Sequence, residues 1–443
     1  MGETGRLTVD GRAYADRFNR MPPSGFDQWV RFALERDCDP DPAAYEALYQ
    51  DLHPWMTSGL NESLFHQSNG FRIDKPSLLM THIGTMDVVT FVVNATYPSG
   101  AFLSANNASV PSFISAALPL LAQAGKLFHF VLNRSAFPRA LPADKDTSSN
   151  SVYTGTNDAF SHNSCFRSTY TKANHRMNHG FFQDPSAFET ENLNLPIFSE
   201  SKVECYMDVR FPYDAMPKRS LHIDTIAWGD KKNVLFWRGD TSGIRNAVDA
   251  PYKQSHRFRL VEWAKTYAKK HPDASYDSDM SPQDGPASNL NKFPIQVDIG
   301  FDAFATNNSV FNKKVQDSYS LKPHTPASYA YQFKYLVVVD SDTLPETLMA
   351  YLASNSVVLY SGVFTDFMNW KLKPMVHYVP VQLDLSDLEE RMQWLKDHDE
   401  KARKINANSK ALMRQINTRS YGECYAGLLM LEYGSLFNSD NKL

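Results

Sequence analysis

Two stretches carry residues able to grip an anion. In the first, Trp237-Arg238-Gly239-Asp240-Thr241-Ser242-Gly243-Ile244-Arg245, the cations Arg238 and Arg245 frame a segment rich in hydroxyls and glycine. Permissive backbone, hydroxyl and N–H donors and two guanidinium forks are what a diphosphate needs. The same spacing also suits an ordinary surface turn with solvated arginines. In the second, Asp340-Ser341-Asp342-Thr343, two carboxylates and two hydroxyls follow an apolar run, and Thr347 adds a further hydroxyl. Two carboxylates one residue apart could hold Mn²⁺ or Mg²⁺ against a diphosphate, which makes Asp340 and Asp342 candidate metal ligands. The plainer alternative is that Asp342 and Glu346 serve a helix start.

The elements that must position these residues can be read from periodicity. Leu336 to Val339 predict a strand, Thr343 and Glu346 stand at capping-box spacing, and Val357 to Tyr360 predict a second strand. Strand, turn, helix and strand make a unit of parallel α/β type, in which the turn faces the helix's free N–H groups. Upstream, Asn233 to Trp237 predict a strand leading into the arginine segment, and a helix follows over Arg257–Lys270. Residues 13–60 carry apolar residues at helical spacing, with Phe26, Trp29, Val30, Ala33 and Leu34 the clearest set. From about Ser77 strands alternate with a helix over 112–125, which implies a first α/β domain. Segment 144–178 is polar and aperiodic. Ser386 and Glu389 predict another capping box, and an amphipathic helix from about Ser420 to Phe437 closes the sequence.

At 443 residues the chain suits two domains rather than one core. A net charge of −4 gives no electrostatic footprint for nucleic acid. Four cysteines, Cys38, Cys165, Cys205 and Cys424, are scattered with no CxxC pair, hence no zinc signature; they could form two disulfides or none. No window is long and apolar enough to cross a membrane, and the first thirty residues contain no signal-like apolar core.

The blocks WRGDTSG, FKYLVVVD, SNSVVLY and LKPMVHYVPVQLDLSDL, in this order, resemble the capsule-associated glycosyltransferases of family 90. That family includes fungal capsule xylosyltransferases and animal protein O-glucosyltransferases. IFSESKVECYMDVRFP extends the resemblance upstream, and PPSGFDQWVRFA looks like the fungal branch. The resemblance implies a GT-B fold, two facing Rossmann-like α/β domains with a C-terminal helix. The boundaries expected are 1–215 for an acceptor-side domain with a helical extension, 216–415 for the nucleotide-sugar domain and 416–443 for the last helix. It further implies a UDP-sugar donor, xylose or glucose, held by Arg238, Gly239, Asp240, Thr241, Ser242 and Arg245, with Ser341, Thr343 and Thr347 opposite. The acceptor is a hydroxyl on a glycan, protein or small molecule, deprotonated by a carboxylate.

The chain departs from such relatives at two places. Where they carry an aspartate in an N-x-x-D-x-P block, this sequence reads Asn133-Arg134-Ser135-Ala136-Phe137-Pro138, and alanine cannot take a proton. Asp184 is the nearest candidate for a substitute base, with Asp144 and Asp146 equally open and His377 a further catalytic candidate. Where relatives carry serine and arginine in the helix after Asp340, this chain has Pro345, Glu346 and Thr347. The alternative function is therefore a relative that binds a nucleotide or metabolite without sugar transfer. The compartment expected is the cytoplasm, with a Golgi or secretory lumen as the alternative.

Overall fold

The computed structural model describes residues 9–56, 80–83, 86–94, 101–104, 127–133, 196–203, 206–212, 223–243, 251–274 and 295–437, with isolated positions between them. Helices α1 (Val9–Phe18), α2 (Phe26–Leu34) and α3 (Glu46–Met56) open the chain, as their apolar spacing predicts. A six-stranded sheet follows, built from β1 (Met80–Ile83), β2 (Met86–Asn94), β3 (Ala101–Ser104), β4 (Leu127–Asn133), β5 (Ile197–Ser199) and β7 (Val209–Arg210). β6 (Lys202–Val203) stands apart from it.

This first sheet is mixed, which corrects the expectation of a Rossmann-like parallel one. β2 is antiparallel to β1, β3 and β4, and only β4–β5 and β5–β7 are parallel. Only Gly84 and Thr85 separate β1 from β2. So short a link permits a hairpin, whereas a parallel crossover needs about a dozen residues. The helix expected over 112–125 falls mostly outside the described residues, as does all of 144–178.

The second sheet runs in the order β13-β11-β10-β8-β9, and every pairing in it is parallel. Its strands are β8 (Lys232–Asp240), β9 (Gln296–Ala303), β10 (Phe333–Val339), β11 (Val357–Ser361) and β13 (Val379–Pro380). Side chains alternate between two cores. Val234, Phe236, Leu336, Val338 and Val358 face one core, shared with α6 (Thr347–Ala353) and α9 (Arg419–Ser435). Leu235, Trp237, Tyr335, Val337 and Leu359 face the other, covered by α4 (His256–Lys270), α5 (Ser309–Gln316) and α7 (Leu388–Asp397). Burial on both faces is why these strands read as continuous apolar runs. The short β12 (Phe364–Thr365) leaves this unit to pair with β6, and α8 (Asp399–Ile416) contributes Ala402 and Ile405 to one core and Met413 and Ile416 to the other.

α9 carries the chain back to its beginning. The Trp29 indole donates to the Cys424 carbonyl at 2.9 Å, and Cys38 forms a disulfide with Cys424. Glu432, fully buried, accepts from the hydroxyls of Tyr14 (2.6 Å) and Tyr49 (2.9 Å) and pairs with Arg20. The expected amphipathic pattern is not found: α9 is buried on nearly every face, because the amino-terminal helices cover the side that would otherwise meet water. Asp51 on α3 is likewise buried, pairing with Lys202 at 2.7 Å and Arg210 at 2.8 Å. Burial alone would raise its carboxyl, but the two cations bring it below the ordinary aspartate value.

Candidate active site

In the parallel sheet the strand order reverses between β8 and β10, and ligands in open parallel sheets bind outside the carboxyl ends at such a point. Both anion-binding candidates from the sequence end there. β8 continues through Arg238, Gly239 and Asp240, which pair with Gly300, Phe301 and Ala303 of β9, so these three are strand residues rather than turn residues. The turn proper is Thr241-Ser242-Gly243. Gly243 has φ 102°, and a side chain there would come within 3.0 Å of the Ser341 Cα. The loops after β8 and β10 thus touch, and only glycine permits the approach.

Arg238 does not offer its fork to the crevice. Its guanidinium bonds the Asp298 carboxylate at 2.7 Å and the carbonyls of Trp237 and Asp298 at 3.0 Å each, within a nearly buried pair. Thr241 is buried, its hydroxyl accepting from the Ala305 N–H at 3.1 Å. Ser242 bonds Asp240 through its N–H (3.0 Å) and its hydroxyl (2.6 Å). Arg245 lies outside the described residues.

Among the described residues, the cation set against the turn after β8 is Arg257, in the first turn of α4. It pairs with the Asp240 carboxylate, and its NH1 donates to the Asp240 carbonyl at 3.2 Å and the Ser242 hydroxyl at 2.8 Å. Its buried Nε has no partner among the described residues. Burial pulls this guanidinium below the ordinary arginine range, while the charges of Asp240, Asp342, Asp340 and Asp302 oppose the shift. Sequence reasoning missed Arg257, though there was a signal. A cation in a helix's first turn opposes the dipole and calls for an anionic partner.

The segment after β10 departs from expectation more sharply. No capping box forms. α6 begins only at Thr347, Glu346 precedes it without a side-chain cap, and the helix is 7 residues long. Thr343 instead bonds the Ser201 hydroxyl at 2.9 Å, and the Ser341 N–H donates to the Thr343 carbonyl at 3.2 Å. The second predicted capping box is absent too: Ser386 bonds Gln382 and Asp384, and Glu389 pairs with Lys270 and His271.

Asp340 is fully buried. Its Oδ2 accepts from the N–H groups of Val363 (2.5 Å) and Phe364 (3.0 Å), and its Oδ1 from the Tyr360 hydroxyl (3.1 Å). Burial pushes its carboxyl up to about 7, against the lowering effect of those donors and of Arg257. With both oxygens committed to protein donors, Asp340 does not fit the metal-ligand role predicted for it beside Asp342. Among the described residues no group of three His, Cys, Asp or Glu side chains is placed to hold a metal ion.

His377 sits in the loop between β12 and β13. Its Nδ1 accepts the Lys373 N–H at 3.0 Å, closing its own turn, and burial together with the Lys373 charge lowers its imidazole below the ordinary value. That occupation explains its half-buried position without catalysis. Asp184, Ala136, Asp144 and Asp146 lie outside the described residues. At the carboxyl end of the first sheet, however, the Asn133 amide donates to Ser199 at 3.0 Å, and Ser199 donates to Asp208 at 2.5 Å. Asp208 is a fully buried carboxylate that sequence reasoning passed over.

The two sheets meet at these edges. β6 pairs antiparallel with β12, Val203 against Phe364 and Lys202 against Thr365. The Ser201–Thr343 bond adds a second contact just after the carboxyl ends of β5 and β10.

Residues 186–442 match the profile of Glycosyl transferase family 90. Protein O-glucosyltransferase 2 of Danio rerio is 34% identical over 134 residues, covering 30% of this chain and 27% of that protein. The O-glucosyltransferase rumi homolog of Aedes aegypti is 26% identical over 259 residues, covering 56% of this chain and 58% of that one. Human protein O-glucosyltransferase 1 is 24% identical over 249 residues, covering 55% and 58% respectively. These matches each span less than two thirds of the relative's length. The crystal structure of TarM overlays 58% of this chain and 41% of its own at a TM-score of 0.31 and 13% identity. With its crevice at the β8–β10 reversal and more than half its length inside the matched profile, the chain belongs to glycosyl transferase family 90.

Proposed function

We propose that the chain is a glycosyltransferase that moves a sugar, xylose or glucose, from a UDP-sugar to a hydroxyl on a glycan, protein or small molecule. The observation that carries this reading is Arg257, a buried guanidinium whose bonds to Asp240 and Ser242 all run through NH1, at the switch point of an all-parallel sheet. Beside it stand the Ser242–Gly243 turn and Ser341. A departing nucleoside diphosphate gathers negative charge, and a fixed cation in a low-dielectric crevice stabilises that charge without reorganising. The relatives named O-glucosyltransferases support the same class of reaction.

The arrangement favoured is GT-B: residues 1–215 on the acceptor side, 216–415 holding the donor, and 416–443 returning to the amino-terminal helices. The contacts between β6 and β12 and between Ser201 and Thr343 support two facing carboxyl edges. Within the family the fungal, capsule-associated branch is the finer placement, resting on the PPSGFDQWVRFA block. Asp184 is the proposed base. The Cys38–Cys424 disulfide favours an oxidising secretory lumen over the cytoplasm.

A second reading, binding without transfer, is favoured by one specific observation: Asp240, Asp302, Asp340 and Asp342 all act on Arg257. So acidic a surround offsets the stabilisation that Arg257 offers a departing diphosphate, and disfavours transfer more than binding. The test is UDP release from UDP-xylose and UDP-glucose in the presence of peptide and glycan acceptors, with and without Mn²⁺. Transfer predicts acceptor-stimulated release that falls about 10²–10⁴-fold in Asp184→Asn. Binding of UDP-sugar with no release under any acceptor would leave the second reading standing.

A further inference from the structure

Two neighbouring side chains at the start of α4 reach in opposite directions along the sheet's carboxyl edge. Arg257 bonds Asp240 and Ser242, at and just after the end of β8. His256, the residue before it, meets the Ser361 hydroxyl at the end of β11, with 2.9 Å between Nε2 and Oγ. Ser361 pairs with Val339, the last residue of β10, so β10 ends between the two anchors. In the order β11-β10-β8 those anchors stand two strand spacings apart, roughly 10 Å. The first turn of α4 therefore straddles the end of β10, beside the point where the strand order reverses.

The direction of the His256 bond follows from its surroundings. The Ser361 hydroxyl donates its one proton to the Gln382 carbonyl at 3.1 Å, so toward His256 it accepts, and the imidazole Nε2 carries the hydrogen. His256 and Ser361 are each 1% exposed, so solvent does not compete for the bond. The result is a directed chain, His256 to Ser361 to Gln382, from α4 across the end of β11 to the segment after β13. The same helical turn is drawn the other way by its next two residues. Arg257 pulls toward β8, and Phe258 packs on Phe301 of β9 with ring centroids 4.7 Å apart. His256 supplies the tie toward β11.

Resting on the donor reading given above, we propose that His256 is a positioning residue for nucleotide binding, whose bond to Ser361 holds the first turn of α4 across the sheet edge and so sets where the Arg257 guanidinium stands. His256 touches no ligand in this account and acts only through its neighbour. Arg257 is sensitive to such placement because its bonds to Asp240 and Ser242 all run through NH1. A fork held through one nitrogen takes the aim of the rest from the backbone that carries it. Without the Ser361 tie the turn is drawn toward β8 and β9 alone, and Arg257 shifts with it. Hydrogen bonds to a phosphate weaken steeply with misalignment, so a small shift of the guanidinium is felt in affinity.

The test is calorimetric titration of the full chain with UDP, in wild type, His256→Ala, His256→Gln, Ser361→Ala, Arg257→Ala and the double variant of His256→Ala with Arg257→Ala. The positioning role predicts that His256→Ala and Ser361→Ala each weaken UDP about threefold to tenfold. Ser361→Ala removes a single oxygen from the same bond, and so reads the tie even if the imidazole is needed for folding. His256→Gln, which keeps an N–H donor at similar reach, retains most of the affinity. Once Arg257 is gone, His256→Ala weakens UDP no further, because the histidine has nothing left to position. Wild-type affinity in both His256→Ala and Ser361→Ala would overturn the inference. So would equal weakening by His256→Ala with and without Arg257, which would show a role independent of that cation. A wild type that binds no UDP, or an Arg257→Ala variant that binds it undiminished, would instead remove the donor reading on which the inference rests.

Discussion

At the scale of single residues, the crevice is governed by which charges are already spent. Arg238 commits both terminal nitrogens to Trp237 and Asp298, whereas the bonds of Arg257 to Asp240 and Ser242 all run through NH1. Arg257→Ala is therefore predicted to weaken UDP binding about tenfold to a hundredfold, the worth of a charge-assisted hydrogen bond or two, measured by calorimetry. Equal affinity in the variant would show that the diphosphate is held elsewhere. Asp340 supplies a pH prediction. Its folded value of about 7 is raised above the ordinary 3.8, so its contribution to stability is fully present below pH 3.8 and is lost as pH rises through about 7. Within that window each pH unit removes up to about 1.4 kcal/mol. Asp340→Asn, which keeps an acceptor for the Val363 and Phe364 N–H groups, should flatten the fall in denaturant midpoint between pH 5 and pH 7. An unchanged slope would mean that other groups set it. The sequence showed Asp340 as a carboxylate after a strand, but not that its oxygens turn back onto residues 363 and 364, because a side chain's direction is decided by neighbours remote in the chain.

At the scale of elements, β10, α6 and β11 were legible because strands buried on both faces leave an unbroken apolar signature. β9 was not, since Asp298, Gly300 and Asp302 interrupt its apolar residues, and each is explained by tertiary contact. Asp298 meets Arg238, a side chain at Gly300 would strike Lys322, and Asp302 meets His324. α8 was passed over because its buried face, Ala402, Ile405, Asn406, Ser409, Met413 and Ile416, keeps helical spacing but includes polar residues that leave no apolar stripe in the sequence. α9 was found, but its surroundings were misjudged, because no periodicity reveals that the first helices return to cover it. That return is testable. Glu432→Gln removes the charge that Arg20 and two tyrosine hydroxyls address, and breaking a buried pair of this kind costs about 3–5 kcal/mol, read from denaturant unfolding. A loss below about 1 kcal/mol would show that Glu432 is replaceable there.

At the scale of the whole molecule, the chain's two ends are joined. The Cys38–Cys424 disulfide closes a separation of 386 residues, and the chain-entropy argument values a loop of that length at about 6 kcal/mol. Cys38→Ala with Cys424→Ala should lower stability by several kcal/mol relative to oxidised wild type and match reduced wild type. Identical stability in all three would mean that the helical contacts alone hold the ends together. The joined ends bring α9 against both the amino-terminal helices and the core beneath the parallel sheet. Thermal unfolding of the full chain with UDP, at about a hundred times its dissociation constant, tests the nucleotide site directly. A nucleotide bound at the β8–β10 crevice adds about 2.7 kcal/mol and raises the midpoint by several degrees, and Arg257→Ala removes about half of the rise or more at the same concentration. No rise with UDP or any UDP-sugar, with or without Mn²⁺, would contradict a nucleotide-sugar site in this crevice.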